Sequence, residues 1–563
     1  MRVMPARIRR VVASNKLFTA VLVAAILLRL CAELGYRWWV YFNDSFSYIL
    51  TAATGVVDPA RVSGYSLFLR LLLPLHSFAV VTILQHLMGL GVGVLFYALA
   101  KRRFGAPSWA AVVLTLPVLF DGFEIQLEHQ ILSDTLFLFL LVLAVTLLLW
   151  SPRPGWVRCS LAGLLLGASA IVRSTGLPLI AVFVVYLIII WLPKLRDRRG
   201  WLRLVATVAA CCVAFALPVL GYEGLYEQQH GKFAMNESTG VFLYSRVMTF
   251  ADCSRMTLSP ELLSLCSTVP PAKRPIAQAY IWTPATPLDR FPPVKFSGLP
   301  NGLAQQFAIK AIEAQPLDYA KAVFDDTWRS FYWPRAVFPN AATYNEYLFG
   351  YHSLRVPDSP LHGYRNTAAY YLRGDPLTQV AEPYAGVMRV YQRYVWLPGT
   401  VYGLILLAGL AALAWRWRRG GKDAFLLWAS SLALVVVPAA TAEFDYRYVT
   451  TATPFACLAL AIALGQRDGQ ASGNAGASGA SGSSGASGAS ESGAADAEAA
   501  DSVASGVAGP SVNGGAAGTA PASRAVGEAG GATGLTGGVA GGSLNGGEAN
   551  ASHDQSDLTA DAT

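Results

Sequence analysis

Residues 17–36 read LFTAVLVAAILLRLCAELGY, and a loop containing Tyr41-Phe42-Asn43-Asp44-Ser45-Phe46-Ser47-Tyr48 follows at once. The apolar run has the length, about 20 residues, that a helix needs to cross a bilayer core. Arg2, Arg7, Arg9, Arg10 and Lys16 precede it and mark that end as cytoplasmic. The apolar core continues through Leu34 with no small-residue cleavage pattern, so the segment reads as a retained span and not a signal peptide. Asp44 then falls just beyond a membrane mouth and is followed by aromatics instead of further charge. That setting suits a base or ligand acting on something that arrives through lipid.

Of the 563 residues, 54% are hydrophobic and 14% charged, against roughly 25% charged in a soluble domain. Apolar runs recur at 17–36, 77–100, 107–121, 131–150, 159–171, 175–193, 202–221, 396–415, 423–440 and 449–465. They predict an all-α polytopic membrane protein of about ten transmembrane helices. Only Arg173-Ser174-Thr175-Gly176 separates the fifth run from the sixth, so these two form a hairpin or a broken pair. With a cytoplasmic N-terminus, every later basic cluster falls on the same side: Lys101-Arg102-Arg103, Arg153 with Arg158, Lys194 to Arg199, and Arg416 to Lys422. The net charge of +8 is therefore a topology signal, and nucleic-acid binding is excluded as a reading because the basic residues are dispersed between spans.

The organisation that follows is a basic cytoplasmic N-terminus (1–16), an N-terminal bundle (17–221) whose first outer loop is 37–76, a mixed extracytoplasmic domain (222–395), C-terminal helices (396–466) and a tail (467–563). The tail repeats units such as Gly-Ala-Ser-Gly with almost no large apolar residues, and it reads as disordered and cytoplasmic. The expected location is the plasma (cell) membrane, multi-pass, with both termini cytoplasmic and the large loop extracytoplasmic. Of seven Cys, Cys253 and Cys266 fall in that large loop and are candidates for a disulfide; the others lie in or beside spans.

Several polar residues carry candidate chemistry, each beside a plainer role. Asp44 is a general base, or a helix N-cap for Ser45–Ala53. Arg61 holds a phosphate, or snorkels to lipid headgroups. Glu128 and Asp134 are second acids for the same site, or a cap and a surface acid. Arg173 pairs with an acid or lines the cavity. Arg447, in Asp445-Tyr446-Arg447-Tyr448, grips a lipid-linked phosphate with its fork, or forms a local pair with Asp445. His129 reads as a bystander and no metal site is expected, because no companion His or Cys stands at ligand spacing along the chain. Tyr244, Trp328, Tyr332, Trp333 and Tyr344 are candidates to stack on sugar faces, or are aromatic core. No phosphate loop, dinucleotide fingerprint or Gly-x-Ser-x-Gly elbow occurs, and the inner loops are too short for a nucleotide site.

The order of these features resembles the GT-C superfamily of membrane glycosyltransferases, in particular the branch of the protein O-mannosyltransferases and the lipid A aminoarabinose transferase. The resemblance is carried by Asp44 in the first outer loop, Ser63-Gly64-Tyr65-Ser66-Leu67-Phe68-Leu69, Leu132-Ser133-Asp134-Thr135-Leu136-Phe137, Gly167 to Gly176 and Tyr446-Arg447-Tyr448, and it covers about residues 15–465. Ser63 and Ser66 stand where that branch has prolines, Asp134 where it has Glu, and Asn43-Asp44 supplies no paired acids, which leaves metal dependence open.

The resemblance implies transfer of a sugar, hexosyl or pentosyl, from a polyprenyl-phosphate donor to an extracytoplasmic protein, lipid or polysaccharide acceptor. No resident cofactor is implied, and membrane lipids are the surrounding partners. In that reading Asp44 is the base of an inverting displacement, with Arg447 first and Arg61 and Arg173 next as phosphate contacts. A surface-glycan ligase or polymerase shares the donor class. A transporter or lipid flippase shares the topology, although the sequence shows no pair of matching halves.

Overall fold

The protein, seen here in a computed structural model, is described over residues 13–37, 39–284, 286–292, 294–352, 363–417 and 421–465, all within one compact unit. The tail from 467 and the first twelve residues, with Arg2, Arg7, Arg9 and Arg10, lie outside the described residues.

The described residues are mostly helical: α1 (Lys16–Gly35), α2 (Asn43–Thr54), α3 (Gly64–Leu72), α4 (Phe78–Ala98), α5 (Ser108–Phe120), α6 (Gly122–Glu128), α7 (Asp134–Leu149), α8 (Trp156–Val172), α9 (Leu179–Trp191), α10 (Arg198–His230), α11 (Thr239–Val247), α12 (Gly298–Ala314), α13 (Pro316–Arg329), α14 (Tyr364–Leu372), α15 (Tyr384–Tyr394), α16 (Gly399–Arg416), α17 (Lys422–Thr441) and α18 (Tyr446–Leu464), with shorter helices and turns between them. Two-residue strands β1 (Tyr36–Arg37) and β2 (Gln379–Val380) pair antiparallel, Tyr36 opposite Val380. The region 222–395, expected to be mixed, thus holds helices and one minimal strand among its described residues, and α10 runs unbroken across the boundary expected at 221.

Apolar side chains coat the outside of the bundle, and charged ones lie buried within a largely apolar core. On α1, Val23, Leu27 and Leu30 are exposed, while Arg29 and Glu33 of the same helix are buried. In lipid this is the stable arrangement, since the outward face meets hydrocarbon and the charges find partners within. Among the described residues, six helices are long and apolar enough to cross a membrane, and a seventh if the bent pair α5–α6 is one span. The expectation of about ten full crossings is not met by length. Helices α7 and α8 have 16 and 17 residues, or about 24–26 Å at 1.5 Å per residue, short of the roughly 30 Å hydrocarbon core.

The bend in the α5–α6 pair is 55° and its causes are local. Pro117 interrupts the hydrogen bonding of α5. Asp121 then caps α6, its Oδ1 accepting from the N–H groups of Phe123 (2.8 Å) and Glu124 (3.3 Å), while Oδ2 accepts from Leu397 N–H at 2.8 Å. The stretch Phe123–Gln130 is consequently buried. A parallel bridge, with Val40 N–H donating to His129 O (3.1 Å) and Ile131 N–H to Val40 O (3.1 Å), holds the Asp44 loop against the entry to α7.

Helices α8 and α10 pack backbone to backbone. Gly163 and Gly167, a small-xxx-small pair, face the carbonyl oxygens of Cys211 and Phe215, where an added Cβ has no room. A second core lies beyond the bundle, with Val241, Tyr244, Leu265, Phe307 and Ala308 at its centre. Cys253 and Cys266 are disulfide-bonded at its edge, Cα to Cα 6.3 Å. Gly163→Val is expected to cost about 3 kcal/mol through overpacking and to lower the thermal midpoint of the detergent-solubilised protein. Gly221→Ala, whose Cβ meets nothing within 4 Å, is expected to leave the midpoint unchanged or slightly raised. Equal midpoints for the two variants would show that α8 and α10 do not depend on this close approach.

A charge cluster as the candidate active site

Five segments far apart in sequence bring their charges to one place. Phe42, extended, precedes α2, and its N–H donates to Ser45 Oγ at 2.8 Å, so the helix start is capped without Asp44. Asp44 sits in the first turn, where the helix dipole favours a negative charge, and its side chain points away to other partners. Oδ1 accepts from Arg61 Nη2 at 2.6 Å and Oδ2 from Arg447 Nη1 at 2.9 Å.

Arg61 also donates to Ser47 Oγ (2.9 Å) and lies over the Trp282 ring, 5.2 Å from its centre. This inward pose replaces the headgroup role. Arg447, in the first turn of α18, makes its local pair with Asp445 as well (Nε to Oδ2, 2.9 Å) and stands 3.8 Å from Asp134 Oδ2. Arg173, at the end of α8, forms an ion pair with Asp134 and lies 5.3 Å from the centre of the Tyr448 ring. Three arginines thus face four aspartates, Asp58 standing 4.0 Å from Arg61.

The electrostatics separate the acids. Burial pushes the Asp44 carboxyl up, but the Arg61 and Arg447 guanidiniums outweigh it and hold the group at about 2, below its ordinary 3.8. Asp445 is raised by burial, which Arg447 and the hydrogen bond from Tyr347 OH only partly oppose. Glu346 lies alongside, its Oε2 accepting from Asn43 N–H at 3.1 Å. Burial lifts it to about 7; the Asn43 bond works against the rise and the Asp44 charge adds to it. Two neighbouring acids therefore differ strongly in proton affinity, a pattern suited to acid–base chemistry.

Not every residue singled out in the sequence joins this cluster. Glu128 is fully buried elsewhere, held by Arg29 (2.7 and 2.6 Å) and His86 (2.8 Å), so it is no second acid of the Asp44 site. Tyr244 is core, and Trp328, Tyr332 and Trp333 are exposed. The reading of His129 as a bystander is corrected: with Glu33 and His86 it forms the group among the described residues whose donor atoms could hold a metal. Ser47, Trp282, Glu346 and Tyr347 were missed. Glu346 carried the signal that marked Asp44, an acid set among aromatics (Tyr344-Asn345-Glu346-Tyr347), although it lay far from any recognised motif.

Residues 74–228 match the family model described as dolichyl-phosphate-mannose-protein mannosyltransferase. This stretch contains Asp134 and Arg173 but not Asp44, Arg61 or Arg447. No curated protein matches the chain by sequence. Among solved structures, the archaeal oligosaccharyltransferase AglB from Archaeoglobus fulgidus, in complex with an inhibitory peptide and a dolichol-phosphate, aligns at 13% identity and a TM-score of 0.40, covering 79% of this chain and 50% of that one. ArnT from Cupriavidus metallidurans, bound to undecaprenyl phosphate, aligns at 13% identity and a TM-score of 0.32, covering 80% and 78%. The chain spans about half the length of the archaeal enzyme. The family-model match over residues 74–228 is to a lipid-linked mannosyltransferase family, of the kind that the sequence motifs resemble.

The raised Glu346 group gives a pH dependence of definite sign. A carboxyl raised in the folded state stabilises the fold fully below its unfolded value, 4.5, and this contribution is lost as pH rises through about 7. Glu346→Gln is therefore expected to match the native protein in thermal midpoint near the acid end and to exceed it at alkaline pH, by at most about 3 kcal/mol. A constant difference across the range would remove Glu346 as a group titrating near neutrality.

Proposed function

We propose that the chain moves a sugar from a polyprenyl-phosphate-linked donor to an acceptor on the extracytoplasmic face, by inverting displacement with Asp44 as general base. The observation that carries this reading is the position of Asp44 between Arg61 and Arg447, each holding one carboxylate oxygen. As it stands the carboxylate is a poor base, because both oxygens are neutralised. A phosphate offers the two guanidiniums a better matched anion. Once they turn to the donor phosphate, Asp44 loses its counter-ions and its basicity rises.

The step then balances. The acceptor hydroxyl or amine attacks the anomeric carbon, the bond from that carbon to the phosphate oxygen breaks, the acceptor proton passes to Asp44, and polyprenyl phosphate leaves as an anion stabilised by the arginines. A phosphate leaving group needs no strong acid. Arg173, engaged with Asp134, is a weaker phosphate contact and holds the far wall of the cluster. The family matched over 74–228 is named for a dolichyl-phosphate-linked sugar, which accords with a lipid-carried donor. The distribution of basic residues supports an extracytoplasmic position for the cluster, where an activated sugar must come on a lipid. The 222–395 region, contributing Trp282 and Glu346, serves as cover and acceptor selector.

A second reading has one observation in its favour: Glu346, near 7, is the better base in the resting protein. Full-length protein in lipid nanodiscs, supplied with a panel of polyprenyl-phosphate sugars and envelope extract as acceptor source, separates the two when free polyprenyl phosphate is followed by mass spectrometry. Asp44→Asn is expected to lower release by about 10²–10⁴-fold, Glu346→Gln by far less, and Arg447→Lys to raise KM more than it lowers kcat. Loss in Glu346→Gln with retention in Asp44→Asn would transfer the base role. No release from any donor by the native protein would reject the transferase reading in favour of the ligase or flippase.

A further inference from the structure

Away from the Asp44 cluster, three side chains on three different elements converge inside the bundle: Glu33 in the last turn of α1, His86 in α4 and His129 just after α6. All are buried, at 8%, 4% and 0% exposure. His86 Nε2 lies 3.1 Å from His129 Nδ1, and Glu33 Oε1 lies 3.7 Å from the first and 3.8 Å from the second. A tetrahedral ion with bonds of about 2.1 Å holds its ligand atoms about 3.4 Å apart. The three separations bracket that value.

The outward sides of the two rings fix which atoms face inward. His86 Nδ1 meets the Glu128 carboxylate at 2.8 Å, and Glu128 is itself clamped by Arg29. His129 Nε2 meets the Tyr36 carbonyl oxygen at 2.7 Å. Both outer partners are pure acceptors here, so each ring donates its N–H outward. In the neutral rings the inward nitrogens, His86 Nε2 and His129 Nδ1, then both carry lone pairs, and they face each other and a carboxylate. Among the described residues the Glu33 carboxylate has the Thr82 side chain as its hydrogen-bonding neighbour and no further partner of that kind. Three electron pairs pointed at one another in a buried space repel unless a cation lies between them.

We propose that Glu33, His86 and His129 bind a divalent transition metal, zinc by the chemistry of two imidazoles and one carboxylate, with water completing the coordination. Glu128 and the Tyr36 carbonyl act as the outer acceptors that set ring tautomer and orientation, the usual arrangement around metal-bound histidine. The ion ties α1 to α4 and to the segment that enters α7. It has no part in sugar transfer as proposed above, and the inference stands whether or not that transfer is found.

The competing occupant of the space is an extra proton shared by the histidines and Glu33. The full chain, purified with a tag free of histidine and without chelator, is examined by elemental mass spectrometry and, after exchange with cobalt, by visible absorption. The expected result is about one metal equivalent per chain and a tetrahedral cobalt spectrum with imidazole ligation. Both are expected to be lost in Glu33→Gln and His129→Gln, with affinity falling at least about 10–100-fold. Absence of metal as purified, with none retained after exposure to zinc and desalting, assigns the space to the proton and overturns the proposal. So does metal retained by a variant lacking all three side chains. Should the variants not fold, the native cobalt spectrum decides alone, since an octahedral or all-oxygen signature excludes this site.

Discussion

An unpaired charge inside a bundle coated by hydrocarbon is costly, and this protein answers that constraint by joining its buried charges across long stretches of chain. Arg29 meets Glu128, 99 residues on; Arg103 meets Asp423, 320 residues on; Asp44 meets Arg447, 403 residues on. Removing one member of such a pair leaves the other buried without a partner, typically a loss of about 3–5 kcal/mol. The helices themselves gain little from apolar contact with one another when lipid is equally apolar. Charge pairing, with close glycine contacts such as Gly163 on α10, therefore decides which helices meet. The Asp44 cluster uses the same device with one difference: a single carboxylate is shared by two guanidiniums, and an anion of suitable shape can take its place.

The sequence carried the class of fold and most of this cluster, for identifiable reasons. Apolar runs mark helices whatever their neighbours are, and charges within them stand out against the background. Asp44, Arg61, Asp134, Arg173 and Arg447 were each visible in that way, with the plainer alternative beside them. In several cases both alternatives hold together, as with Arg447, which pairs with Asp445 and Asp44 at once. Invisible to the sequence was which charges share a space. Helices apolar on nearly every face have no periodicity that distinguishes interior from lipid side, so Glu128 could not be told from a site acid. The Glu33, His86 and His129 group has no ligand spacing along the chain, because its members come from three elements.

Where the helices end was not legible for a related reason. Composition marks α7, α8 and α18 as apolar, yet α7 and α8 stop short of a full crossing, and α18 begins with Arg447 in its first turn and carries Thr450, Thr451 and Thr453. These are the helices whose ends supply Asp134, Arg173 and Arg447. A helix that ends early brings its terminal polar residue inside the bundle. Shortness and site formation are thus one feature, as is the break after Pro117, which buries α6 and sets Glu128 and His129 within reach of α4.

The resting state of the cluster also constrains the order of events. With both oxygens of Asp44 held by arginine, an acceptor that arrived first would meet a carboxylate near 2 and keep its proton. In the proposed transfer an anion that draws Arg61 and Arg447 away releases that carboxylate, and donor binding then precedes activation of the acceptor. Glu346, bound to the Asn43 N–H at the start of α2, is held near 7 first by burial, with the charge on Asp44 adding to the rise. Sequence distance hides this coupling, since the base, its two counter-ions and the titrating neighbour come from four separate parts of the chain. In space they form one cluster, which in the proposed transfer the donor phosphate switches.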